Sequence, residues 1–165
     1  MAPFAMPPIA AILHTRNDAL RVGRALESLR VCDEVLILDH ESTDQTLRVA
    51  REYGAKVIPI SSKQAWQHVI PQGRCRWFLL VQPSEAISEG LEATLYEWKL
   101  RSERDVAEIT SCCVSLREEI AEGWGEPSPS TRLIPKDWQQ WDGNLPQHDP
   151  RCMLLDGDLL RFRQP

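Results

Sequence analysis

Four short apolar runs in the first half of the chain constrain its fold more than any other feature: Ile9–Leu13, Val35–Leu38, Ala55–Ile60 and Trp77–Val81. Between the first three lie segments whose apolar residues recur at helical spacing. Val22, Ala25, Leu26 and Leu29 line one face within 19–29, and Leu47, Val49, Ala50 and Tyr53 follow in the next segment, which Gly54 stops. Asp18 is positioned to cap the first helix and Ser42 or Thr43 the second, while Gln64 to Ile70 reads as a brief helix ended by Pro71. After the fourth run, Ser88 to Leu100 is a further helix, capped by Ser88, with Leu91, Leu95 and Trp98 on one face. Runs apolar throughout are strands buried on both faces. Their alternation with helices predicts an α/β fold, a mostly parallel sheet with helices on both faces and right-handed crossovers.

At 165 residues, one compact domain over 1–165 is expected, with 1–8 as a flexible lead because of its prolines. Val106 to Val114 reads as a strand extending toward Leu116, and Asp156-Gly157 as a turn between two strands within 153–162. Residues 119–150 are rich in Gly, Pro, Ser and Trp and read as an irregular loop region. Three tryptophans there, Trp124, Trp138 and Trp141, either stack on a flat ligand or pin the loops to the sheet, and pinning is the more ordinary role.

A net charge of -5 offers no field for a phosphate backbone, so no nucleic-acid partner is expected. The N-terminal apolar run is broken by Pro7 and Pro8, and no later stretch is long enough to span a bilayer; a cytoplasmic protein without a transmembrane segment is the reading. Five cysteines with no CxxC spacing read as free thiols. There is no GxGxxG, no GxxxxGK[ST], no HExxH and no GxSxG, which removes support for a dinucleotide fingerprint, a P-loop, a zincin site and a hydrolase elbow.

Ligands on parallel sheets bind beyond the carboxyl ends of the strands. The polar groups gathered there are His14 to Asn17 after the first run, Asp39 to Glu41 after the second, and Gln82 to Glu85 after the fourth. Asp39 is placed equally well to accept hydrogen bonds from a ribose or base and to satisfy its own loop. For Asp44 the cap is the favoured role.

The run AAILHTRNDALRVGRALESLRVCDEVLILDHESTDQTLRVAREYGAKVI, residues 10–58, closely resembles the N-terminal half of family 2 glycosyltransferases, especially the branch of lipopolysaccharide core glycosyltransferases. Asp39 with Ser42-Thr43-Asp44-Gln45-Thr46 is similar to that family's Asp-x-x-Ser-Thr-Asp-x-Thr segment. Trp124, Pro127, Arg132 and Leu133, then Trp141, Gly143, His148 and Asp149, match later family positions more sparsely. The resemblance implies a GT-A fold, a nucleotide-sugar donor or nucleoside diphosphate as partner, and Mg²⁺ or Mn²⁺ as cofactor. It implies that Thr15, Asn17 and Asp39 line the base and ribose pocket, with Gln64 near the donor.

The family's metal-binding carboxylates belong where this chain has Val81-Gln82-Pro83-Ser84-Glu85. Gln82 and Ser84 would face the donor there, and Glu85 alone remains as a metal ligand. An amide and a hydroxyl bring no charge to a hard dication, so the DxD motif is degenerate. Ser128 stands where the family places its catalytic acid after Pro127, leaving Glu126, Asp142 or Asp149 as candidate bases. The resemblance with these departures implies a glycosyltransferase-like protein that is slow or impaired; the alternative is a GT-A pseudoenzyme serving as a nucleotide-binding or protein-interaction module. A protein partner or a homo-oligomer would complete the acceptor side.

Overall fold

The computed structural model describes residues 8–62, 65–68 and 75–165. Of the short helix expected over 64–70, residues 65–68 are described and form a single 3-10 turn, Trp66–His68, while Gln64, expected near the donor, lies outside the described residues. Four parallel strands form the first half of the sheet: β1 (Ile9–Thr15), β2 (Glu34–Asp39), β3 (Lys56–Pro59) and β4 (Trp77–Leu80), in the order β3-β2-β1-β4. Ile12 lies between Leu36 and Leu80 in register, and Thr15 pairs with Asp39. Along β1 the side chains split by parity. Ile9, Ala11 and Leu13 join one core layer and Ala10 and Ile12 the other, as a strand buried on both faces requires.

Helices α1 (Val22–Ser28), α2 (Thr46–Glu52), α3 (Glu89–Lys99) and α4 (Glu103–Val106) all contribute to the first layer. Leu91, Leu95 and Trp98 of α3 are buried there, and the Ser88 hydroxyl caps that helix by accepting from the Leu91 N–H at 3.1 Å. The opposite layer is covered by Trp66, in a single 3-10 turn, and by a hairpin of β9 (Trp141–Asp142) and β10 (Leu145–Pro146). Trp138 and Trp141 pack against this layer, and Trp141 meets Trp66 edge-on at 4.8 Å between centroids. Pinning is therefore what these two tryptophans do.

Beyond β4 the sheet continues with antiparallel and parallel pairings. β8 (Ser128–Pro135) runs antiparallel to β4 and to β6 (Cys112–Ile120), which also carries the short β7 (Gly123–Trp124); β11 (Met153–Arg161) runs parallel to β6, and β5 (Glu85–Ile87) closes the path against β11. The α/β class holds, with the parallel ladder confined mainly to the first half.

Three local expectations are corrected. The region 119–150 is not irregular throughout, because β8 crosses its middle and buries Thr131 to Ile134. Residues 103–106 form α4, closed by a capping box between Ser102 and Asp105, so the strand expected from Val106 begins at Cys112. Asp156-Gly157 is no turn between strands but an irregularity inside β11. Gly157 has φ of +100°, and a Cβ there would lie 2.2 Å from the Leu91 nitrogen. The close approach of β11 to the start of α3 needs a residue without a side chain. None of the five cysteines is in a disulfide, and burial raises the pKa of Cys112 to about 12.

Candidate active site

The carboxyl ends of β1 and β4 diverge into a crevice of about 170 Å³, lined among others by His14, Asp18, Arg21, Gln82, Ser84 and Asn144. A larger, open hollow of about 500 Å³ lies at the opposite ends of β2 and β3, between Arg30, Asp33, Glu34 and Lys56. Its charges alternate in sign and converge on no point, so the crevice at the carboxyl ends is the candidate site.

Two loops meet at its rim. Asp39 is 4 % exposed, and its carboxylate accepts from the Thr15 hydroxyl at 2.7 Å, the Ser42 N–H at 3.0 Å and the Ser42 hydroxyl at 2.6 Å. Asn17 has φ of 54° and uses its side-chain oxygen to accept from the Thr43 N–H at 2.8 Å, while its own N–H donates to Ser42. Glu41, at φ 60°, is the other non-glycine residue in the left-handed region among the described residues. Such backbone persists only where its surroundings determine it, and here hydrogen bonds between the two loops do so. The N-cap of α2 is Gln45, without a side-chain cap bond, so Asp44 is not the cap; it stands one residue ahead and accepts from the Thr46 N–H, and hydrogen bonding from the Thr46 hydroxyl lowers its pKa.

The sequence left Asp39 open between ligand contact and loop support. In the structure its carboxylate supports the loop, and with Thr15 and Asn17 it surrounds one loop junction. That junction can present backbone and hydroxyl groups to a nucleoside from a fixed frame.

His14 is near the crevice floor, with its Nδ1 2.8 Å from His40 Nε2 and its ring edge-on to Trp66. Burial, with His40 adding to it, lowers the His14 pKa to about 3, so this imidazole is neutral in ordinary buffers. It brings no positive charge to the crevice.

Glu85, expected as the remaining metal ligand, is fully buried and engaged otherwise. One carboxylate oxygen accepts from the Gln82 N–H and from Arg132 Nη1, both at 2.8 Å; the other accepts from Arg132 Nη2 at 2.9 Å and from Arg161 Nη2 at 3.0 Å. A carboxylate offers about four lone-pair sites, and these contacts fill them. Arg132, 1 % exposed, also donates to the Leu80 carbonyl and the Ser130 hydroxyl. Arg161 extends the network to Glu118 and to the side-chain oxygen of Gln82. With Gln82 and Ser84 uncharged and Glu85 saturated, the residues after β4 do not fit a divalent ion. Among the described residues no three His, Cys, Asp or Glu side chains form a group that could hold one.

The three candidate bases do not converge. Glu126 is exposed ahead of β8. Asp149 accepts from the Thr110 and Ser111 hydroxyls and the Arg151 N–H, and despite partial desolvation, which pulls the other way, these bonds hold its pKa low. It ties the chain ahead of β6 to the chain ahead of β11. Asp142, exposed in β9, is closest in the chain to the crevice, two residues before Asn144. The sequence reading missed Arg21, Asn144 and Arg161. Arg21 carries no pattern that separates it from a solvated helix-end arginine, and Arg161 gains its role only from pairing across to β5.

No family model matches the chain. It is 35% identical to an uncharacterized glycosyltransferase of Rickettsia felis over 95 residues, covering 53% of this chain and 32% of that protein. It is 38% identical to the 4,4'-diaponeurosporenoate glycosyltransferase of Staphylococcus aureus over 55 residues, 32% of this chain and 15% of that one. The chain thus spans no more than about a third of these curated relatives. Among solved structures, S. aureus TarS superposes with a TM-score of 0.51 at 22% identity, over 73% of this chain and 23% of TarS. Mannosyl-3-phosphoglycerate synthase from Rubrobacter xylanophilus gives 0.50 at 17%, over 70% and 41%. These likenesses show the fold: a GT-A-type α/β sheet of the kind found in glycosyltransferases.

Proposed function

We propose that the chain is a glycosyltransferase unit of GT-A type that holds the nucleoside part of a nucleotide-sugar or nucleoside diphosphate at the Thr15, Asn17 and Asp39 junction, and that transfers sugar slowly or not at all. The observation that carries this reading is the state of Glu85. The loop after β4 keeps its place in the fold but spends its one carboxylate on Arg132 and Arg161, with Gln82 and Ser84 beside it. Ion-assisted departure of a nucleoside diphosphate then has no ligand set to support it. The likeness to named glycosyltransferases supports the substrate class, and the hydrogen-bonded loop junction supports retained binding on the nucleoside side.

The test is donor hydrolysis and transfer with UDP- and GDP-sugars, with and without Mn²⁺, on the natural chain and on a Gln82→Asp/Ser84→Asp variant. The expected result is no ion-stimulated turnover by the natural chain, with ion binding gained by the variant. Ion-stimulated donor hydrolysis by the natural chain would overturn the impaired reading.

A further inference from the structure

We infer that the crevice between β1 and β4 takes the diphosphate bridge of a nucleoside diphosphate on the Arg21 guanidinium and on amide and hydroxyl donors, without a divalent ion. The inference rests on the nucleotide-binding reading above and assigns a residue and a charge to it.

Several polar side chains of the crevice have hydrogen-bonding capacity to spare. Ser84 and Asn144 make no side-chain hydrogen bond among the described residues, and Gln82 uses only its side-chain oxygen, which accepts from Arg161. Arg21 makes one ion pair, from Nε to Asp18 at 3.5 Å, and its side chain is 45 % exposed, so its terminal nitrogens remain for a ligand. Hydroxyl and amide groups can turn donors toward a ligand, and the guanidinium fork, which only donates, matches phosphate oxygens in two-point geometry.

The charges around Arg21 decide which ligand. His14 is neutral, so Arg21 is the cation of the lining. Asp18 opposes it, yet that carboxylate is also held by the Arg16 N–H at 2.7 Å, and its single 3.5 Å contact is a weak competitor for the guanidinium. Size limits the rest. About 170 Å³ is below the roughly 300 Å³ at which a pocket encloses a drug-sized ligand, so the crevice holds a fragment. Thr15 and Asp39 end the two neighbouring strands, in register, which leaves the nucleoside over them and the phosphates over the crevice.

The experiment is calorimetric titration of the natural chain, Arg21→Ala and Arg21→Lys with UDP, uridine and inorganic pyrophosphate, in EDTA and again with Mn²⁺. In EDTA, UDP should bind about tenfold or more tighter than uridine. Arg21→Ala should bring UDP to the level of uridine while leaving uridine unchanged, and Arg21→Lys should recover part of the difference. Equal binding of UDP and uridine in EDTA, a preference for UDP that requires Mn²⁺, or one that survives Arg21→Ala would each overturn the inference. If neither UDP nor uridine binds, the nucleoside reading fails by itself. Pyrophosphate binding lost in Arg21→Ala would then still support the crevice as an anion site, and absent pyrophosphate binding would overturn it too. Unchanged circular dichroism of Arg21→Ala checks that the exposed side chain was not structural.

Discussion

Replacing Arg132 by Met tests whether the buried network, and not a latent metal site, is what the loop after β4 serves. Arg132 and Glu85 are 1 % and 0 % exposed and share two contacts at 2.8 and 2.9 Å. Removing one partner of such a pair leaves a buried charge short of compensation and costs about 3–5 kcal/mol. Arg161 still reaches Glu85 at 3.0 Å, which places the loss near the lower end. For a chain of this length each kcal/mol lowers Tm by about 2–4 °C, so a fall of roughly 6–12 °C is expected. The double variant Glu85→Gln/Arg132→Met removes both charges, and it should lose less than the sum of the two single changes. Urea unfolding followed by circular dichroism measures this, with a shifted midpoint at constant slope indicating a change in stability alone. The reasoning is refuted if Arg132→Met costs under about 1 kcal/mol, or if the single losses add. Stabilisation of Arg132→Met by Mn²⁺, absent in the natural chain, would show instead that Glu85 is a ligand held in reserve.

Gly157→Ala should destabilise by about 2 kcal/mol or more, because it adds a strained φ to a collision with the α3 backbone; a melt within error of the natural chain would contradict the account of β11. His14 gives a pH dependence whose sign follows from its pKa of about 3 in the fold against 6.5 when unfolded. Between these values the unfolded chain binds more protons, so the contribution of neutral His14 is present above about pH 6.5 and is lost as pH falls toward 3. Over that window the natural chain should lose of the order of a few kcal/mol more stability than His14→Phe, and parallel pH profiles would refute the assignment.

The parallel half of the sheet was legible because its signals are local. Ile9–Leu13 and Trp77–Val81 are apolar at both parities, Gly54 stops a helix at φ of +78°, and Ser88 caps the next one. The second half was not legible, since its signals are long-range. β8 reads as loop because Arg132 sits among its buried residues and prolines occupy positions 129 and 135. An arginine in a central strand makes sense only once Glu85 is known to lie against it. Gly157 looked like a turn because its reason for being glycine is the backbone of α3, more than sixty residues earlier. The meeting of Asp39 and Asn17 in one loop junction follows from their places at strand ends, whereas the satisfaction of Glu85 could not be seen in a short motif.

The span of the Glu85 network has a consequence for the order in which the chain becomes native. Arg132 lies 47 residues after Glu85 and Arg161 lies 76 residues after it, and β5 has no partner until β11 is made. During synthesis the parallel strands can assemble early, while Glu85 must keep its water until both arginines have left the ribosome. Strand β11 thus acts as a completion signal: its docking compensates a charge that until then opposes closure of the sheet.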